Sequence, residues 1–149
     1  MKFTYNHNHS LGYLSGLTNR LLGNLLAKRF QEAGIDMTSE QWGAIIVLLN
    51  GGAMTQMHLG EQLCLEKSSV SRLVNGLEKR GWVERAKNLK DNRQNIVTPT
   101  QKVLETAEHC AVIARRILEE AQRGMTEDEM LVFRSLLSKT IKNLKKLQK

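Results

Sequence analysis

Leu14, Leu17, Leu21 and Leu25, with Leu22 and Leu26 beside them, recur at intervals of three and four. That spacing stacks apolar side chains on one side of a helix and predicts a long amphipathic first helix over about residues 9–33, closed by Gly34. Thr38-Ser39-Glu40-Gln41 has the form of a capping box and stands in front of Trp42, Ile45, Ile46 and Leu49. A second helix is expected there, ended by Gly51-Gly52. Thr55 can cap a short third helix running to Leu63, in which Met57, Leu59, Gly60 and Leu63 allow close packing. The next segment, KSSVSRLVNGLEKRGWVER from Lys67, predicts a fourth helix that stops at Gly81, where a left-handed residue is expected.

Beyond Gly81 the period changes. Trp82 to Arg85 and Gln94 to Val97 flank the polar loop KNLKDN, so a two-stranded hairpin is the economical reading. Helix returns from Thr98, with Val103, Leu104, Ala107, Ala111, Ala114, Ile117, Leu118 and Ala121 on one side and Gly124 as its break. Thr126 and Glu129 form another capping box ahead of Met130, Phe133, Leu137, Ile141 and Leu144, a heptad-like seam. The fold class is therefore mainly α with a small β-hairpin.

The fourth predicted helix separates two kinds of residue. Val70, Leu73, Val74 and Leu77 share one face and must pack inward, whereas Ser68, Ser71, Arg72, Asn75 and Lys79 recur on the opposite face. Serines at the start leave backbone N–H groups uncovered at the positive end of the helix, which suits phosphate. Arg and Asn carry forked groups that bond guanine and adenine edges in the major groove. Such residues are also common on any solvated helix. Their neighbours make the difference, because a short helix, a tight turn, a second helix and a basic hairpin in that order make a winged helix-turn-helix.

Charge supports this only in part. Of the net +7, much comes from Lys139, Lys142, Lys145, Lys146 and Lys149, which read as a solvated helix face. The chain of 149 residues has room for one domain. The longest apolar run, Ala44 to Leu49, is far shorter than the about 18 residues a membrane span needs. The N-terminal MKFTYNHNHSLGYLSG has no export pattern, so the cytoplasm is expected. Cys64 and Cys110 lie in no C-x-x-C spacing and are both read as small buried hydrophobes.

From Trp42 to about Leu144 the sequence resembles a MarR-type transcriptional regulator. The resemblance is carried by Gln41-Trp42, Thr55-Gln56, Ser69-Val70-Ser71-Arg72-Leu73, the run from Leu77 through Gly81 to Arg85, and the D-x-R of Asp91-Asn92-Arg93. One departure is Pro99-Thr100-Gln101-Lys102-Val103, where the family has Leu-Thr-x-x-Gly. Either Thr100 caps the fifth helix or Thr98 does, with Pro99 at its first position. The resemblance implies a DNA-binding lobe over about residues 36–98 and a helical dimerisation lobe over about residues 9–34 and 99–149. It implies a homodimer whose first, fifth and sixth helices intertwine, with Leu14, Leu17, Leu21, Phe133, Leu137, Ile141 and Leu144 at the seam. Thr55, Gln56, Ser68, Ser69, Ser71, Arg72 and Asn75 would meet double-stranded DNA from the helices. Arg85, Lys87 and Lys90 would hold phosphates, and Arg93 would enter the minor groove with Asp91 orienting it. A pseudo-palindromic operator follows from the symmetry.

No nucleophile elbow, phosphate loop or activated cysteine accompanies these features, so an enzyme is not expected. No cofactor or metal is expected either, since His7 and His9 beside His109 make a weak ligand set. Relatives of this type often respond to small aromatic effectors, for which Tyr13, Leu17, Trp42 and Ile46 are candidates, although plain core explains them as well. The remaining alternative is a winged helix used for protein association.

Overall fold

The computed structural model describes residues 1–149. A single 3-10 turn, His7–His9, precedes α1 (Leu11–Glu32), α2 (Ser39–Gly51), β1 (Met54–Thr55), α3 (Gln56–Leu63), α4 (Lys67–Lys79), β2 (Val83–Lys87), β3 (Asn95–Pro99), α5 (Gln101–Ala121) and α6 (Glu127–Leu147). The chain divides into two compact units, Met1–Ala114 and Arg115–Lys149, with the boundary inside α5.

In the first unit the helix starts are set by side-chain caps. Ser10 Oγ accepts from Tyr13 N (3.3 Å), so α1 begins a little later than its leucine pattern suggests. At α2, Thr38 Oγ1 accepts from Gln41 N (3.1 Å) and Gln41 Oε1 accepts from Thr38 N (3.0 Å), a complete capping box. Thr55 Oγ1 accepts from His58 N (3.1 Å) at the start of α3. Gly81, with φ +79°, ends the α4 segment in the left-handed region open to glycine.

The core of this unit joins Phe30 of α1, Trp42, Ile45 and Leu48 of α2, Leu59 of α3, Val70, Val74 and Leu77 of α4, Val83 and Val97 of the sheet, and Val103 and Cys110 of α5. Phe30 and Trp42 meet edge to face, their centroids 6.0 Å apart. Trp42 is therefore core. Gly60 lets α3 approach α4 closely: a Cβ there would lie 3.1 Å from Val70 Cγ1.

The sheet corrects the expected hairpin. β2 and β3 pair antiparallel from Val83↔Pro99 to Lys87↔Asn95, and β1 adds a third strand on the other side of β3 through Met54↔Val97 and Thr55↔Ile96. A two-residue strand has no period to detect, because its pairing is supplied by a distant segment. Pro99 is also not the first helical residue. It closes β3, while Thr100 donates its hydroxyl to Gly81 O (2.7 Å) and its amide to Trp82 O (3.1 Å), before α5 starts at Gln101.

Cys64 is a second correction. Cys110 is buried, and burial pushes its thiol pKa up, but Cys64 is exposed. It ends α3 with φ +55° and ψ +40°, the left-handed position of the helix-turn-helix corner. A residue in that conformation caps the helix instead of packing, and a side chain there is strained. Cys64→Gly should raise unfolding stability by about 1 kcal/mol, read from denaturant melts. No gain would mean that the turn holds Cys64 without strain.

In the second unit, α6 opens with a complete capping box: Thr126 Oγ1 accepts from Glu129 N (3.1 Å) and Glu129 Oε2 from Thr126 N (2.8 Å). Acids in its first turn and Lys145 and Lys146 in its last complement the helix dipole. No residue of α6 is buried.

Candidate nucleic-acid interface

The candidate surface belongs to the first unit and begins with α4. Val70, Val74 and Leu77 are buried and Leu73 partly so, while Ser68, Arg72, Asn75 and Lys79 are exposed, as the wheel predicts; Ser71, expected on the exposed face, is half-buried, as is Ser69. Glu66 occupies the N-cap without a side-chain bond to the first turn. The amides at the start of α4 therefore carry no side-chain cap, beside the serines.

The other end of α4 is fixed by a network. Arg80 Nη1 donates to Gln41 Oε1 (2.8 Å), the atom that also completes the α2 capping box, and Arg80 Nε lies 3.5 Å from Asp36 Oδ2. Trp82 Nε1 donates to Asp36 O (2.8 Å). Lys102 Nζ donates to Arg80 O (2.8 Å) and sits 4.0 Å above the Trp82 ring. Buried Gln41 thus joins the start of α2 to the end of α4. The sequence marks Gln41 as a cap but not as a tie to Arg80, because that bond spans 39 positions.

Arg85 is placed differently from the free phosphate arm expected of it. Its Nη2 and Nε donate to the two oxygens of Glu78 (3.0 and 3.3 Å), and its Nη1 donates to Gln56 Oε1 (3.3 Å). This forked pair braces β2 against α4 and the start of α3. The side-chain bond from Arg85, reinforced by its charge, holds the Glu78 carboxyl below the ordinary carboxylate range. A carboxylate with a lowered folded pKa stabilises above its unfolded pKa, and the gain is lost as pH falls through the folded value. Both partners are partly solvated, which makes the effect small. Glu78→Gln should therefore be slightly less stable than the wild type at neutral pH, with the gap closing under acid. A gap that widened under acid would contradict the ion pair.

At the wing, Lys87 and Lys90 are exposed. Arg93, its side chain 92% exposed, is held by Asp91, whose Oδ1 accepts from Arg93 N (3.0 Å) and faces Arg93 Nε (3.4 Å). Thr55 has its hydroxyl engaged as the α3 cap and is half-buried with Gln56.

Two surface cavities adjoin this region. One of about 650 Å³ lies among Glu78, Gly81, Arg85 and Lys102, and one of about 480 Å³ among Met57, Gly60, Leu65, Val70 and Arg93. Neither is lined by Tyr13, Leu17, Trp42 or Ile46. Tyr13 and Ile46 are exposed, Leu17 is half-buried, and Tyr13 meets His7 edge to face at 4.8 Å.

Residues 35–94, from the α1–α2 loop to the wing, match the family model described as MarR family. The multiple antibiotic resistance protein MarR of Escherichia coli (strain K12) is 25% identical over 132 residues, covering 88% of this chain and 90% of that protein. Over residues 35–94 the chain matches the MarR family. Solved structures agree on the fold. A MarR mutant from E. coli complexed with operator DNA aligns with a TM-score of 0.81 at 24% identity, covering 93% of this chain and 99% of that one. PcaV from Streptomyces coelicolor, in complex with its natural ligand, aligns with a TM-score of 0.80 at 19% identity, covering 95% and 98%. The proteins it matches are DNA-binding transcriptional regulators, and their family is non-enzymatic. No helix of the chain is long and apolar enough to cross a membrane, and no three His, Cys, Asp or Glu side chains come together as a metal site.

Proposed function

We propose that this protein is a MarR-type, ligand-responsive repressor that binds a pseudo-palindromic operator as a homodimer. The observation that carries the reading is α4, whose buried Val70, Val74 and Leu77 turn Ser68, Arg72 and Asn75 outward beside a cationic wing. Arg72 and Asn75 read base edges, and Ser68, Ser69 and Ser71 let the helix start approach phosphate. Thr55 and Gln56 meet the backbone from the start of α3. Lys87 and Lys90 hold phosphates, and Arg93, aimed by Asp91, enters the minor groove. Arg85 acts chiefly as the brace between wing and helix.

The homodimer is supported by apolar faces left exposed in each unit: Leu14 and Leu21 on α1, with Leu17 half-buried beside them, and Phe133, Leu137, Ile141 and Leu144 on α6. A second copy covers them. Operator binding and a response to a ligand are supported by relatives, one crystallised with operator DNA and another with its natural ligand, and in our reading the effector is a small aromatic compound that releases repression. Of the effector candidates, Tyr13, Leu17 and Ile46 remain available for such a ligand. The protein would work in the cytoplasm, where the chromosome is.

Selection from a pool of random duplexes tests this reading. It should return an inverted repeat with half-sites spaced by about one helical turn, about 10 base pairs. Enrichment of an asymmetric site bound by a monomer would overturn the dimeric repressor. Failure to enrich any sequence would favour the winged helix as a protein-association module.

A further inference from the structure

The wing ends in an ordered turn that carries an apolar side chain out in solvent. Asn88 N donates to Gln94 O (2.9 Å), Asp91 N to Asn88 O (3.2 Å) and Gln94 N to Asp91 O (3.0 Å). Side chains add to these bonds, since Asn88 Oδ1 accepts from Lys90 N (3.1 Å) and Asn88 Nδ2 donates to Gln94 Oε1 (3.2 Å). None of them involves Leu89, which occupies the second position of the Asn88–Asp91 turn at 99% exposure. Turn chemistry favours Gly, Pro, Asn, Asp or Ser at such places, and a leucine that packs on nothing gives the fold no return. Single exposed leucines are ordinary on protein surfaces. This one differs in its setting: it stands at the tip of a hairpin among Lys87, Lys90 and Arg93, and the nearby acid, Asp91, is already paired with Arg93.

We propose that Leu89 is a DNA-contacting residue that packs between the sugar walls of the minor groove when the wing docks. The inference rests on the DNA-binding reading and adds a contact that the cations cannot supply. The minor groove is about 6 Å wide, and minor-groove proteins frequently use apolar side chains as wedges. A leucine placed there loses its water against deoxyribose C–H groups. Because no counterion is released by that contact, its contribution is independent of salt, unlike those of the neighbouring lysines. It touches sugar and not base edges, so it strengthens binding to operator and random duplex alike.

The test uses the full chain and the operator recovered by selection. Leu89→Ala and Leu89→Gln should each weaken binding about tenfold, with the slope of log K against log salt unchanged. Leu89→Met, which keeps an apolar reach, should stay within about twofold of the wild type. Hydroxyl-radical footprints should show minor-groove sugars protected at the outer edge of each half-site by the wild type and lost with Leu89→Ala. Thermal melts of the variants should match the wild type, since the side chain packs on nothing. Affinity of Leu89→Ala within twofold of the wild type, a changed salt slope, or an unchanged footprint would each overturn the proposal, as would a Leu89-dependent affinity for anionic lipid vesicles in place of the DNA effect. A wild-type chain that bound no duplex would bring down the DNA-binding reading itself. Wild-type binding with Leu89→Ala unaffected would remove this inference alone.

Discussion

Leu137→Glu is expected to convert the protein to a monomer and to abolish operator binding in the same step, with Leu14→Glu doing so from α1. α6 buries none of its residues in the isolated chain, yet its sequence is built for burial, with Phe133, Leu137, Ile141 and Leu144 repeating along one side. Each such side chain contributes about 1.5–3 kcal/mol when removed from water. A glutamate in that position forfeits the gain and adds an unpaired carboxylate, whose burial is unfavourable by several kcal/mol. The sum exceeds what a dimer in the micromolar range has to spare, about 8 kcal/mol, once two copies of the change face each other across a symmetric interface. Sedimentation should show the wild type dimeric without DNA at micromolar concentration and both variants monomeric but helical by circular dichroism. Loss of DNA binding follows because one winged lobe alone engages a single half-site. A folded monomer that kept the wild-type affinity would sink the dimeric reading.

The helix ends show what a sequence can reveal. Their caps and stops obey rules acting over a few residues, and so Thr38 with Gln41, Thr126 with Glu129, and Gly81 and Gly124 at positive φ stand where the pattern placed them. The division of α4 into buried and exposed faces is equally local, since it depends only on the helical period. What escaped is held by partners far along the chain. β1 exists through β3, some forty residues on, and Pro99 is claimed by pairing with Val83 before it can begin a helix. Thr100 turns its hydroxyl to the carbonyl of Gly81, a choice that requires the closed wing.

Cys64 and Arg85 are placed otherwise than their residue types suggest, for a related reason. Composition makes a free cysteine an interior residue on average, but the corner between α3 and α4 demands a left-handed residue, and the backbone's need outweighs the side chain's preference. Arg85 looked like one more cation on a basic hairpin. Its charge is instead used within the fold, because β2 passes close enough to α4 for both guanidinium edges to find Glu78. On the proposed reading the residues that meet DNA fall into kinds that can be told apart.

If the proposed reading holds and the exposed forked side chains of α4 meet base edges, Arg72→Ala and Asn75→Ala should each weaken binding to the true operator by about 1–3 kcal/mol and relax preference at particular base pairs. Lys87→Ala and Lys90→Ala should behave differently. On the proposed reading these side chains reach only phosphate, so their loss should weaken operator and random duplex together and make the salt dependence shallower by about one unit for each contact removed. Arg93 stands between the two groups. Held by Asp91 at the wing, it senses groove width, and its alanine variant should lose most on operators flanked by A·T tracts, where the minor groove narrows and its potential deepens. Binding isotherms for the five variants on operator, flank-altered operator and random duplex, at several salt concentrations, separate the three behaviours. If Arg72→Ala and Asn75→Ala left sequence preference intact while Lys90→Ala altered it, the reader would be the wing, and α4 would serve to position it.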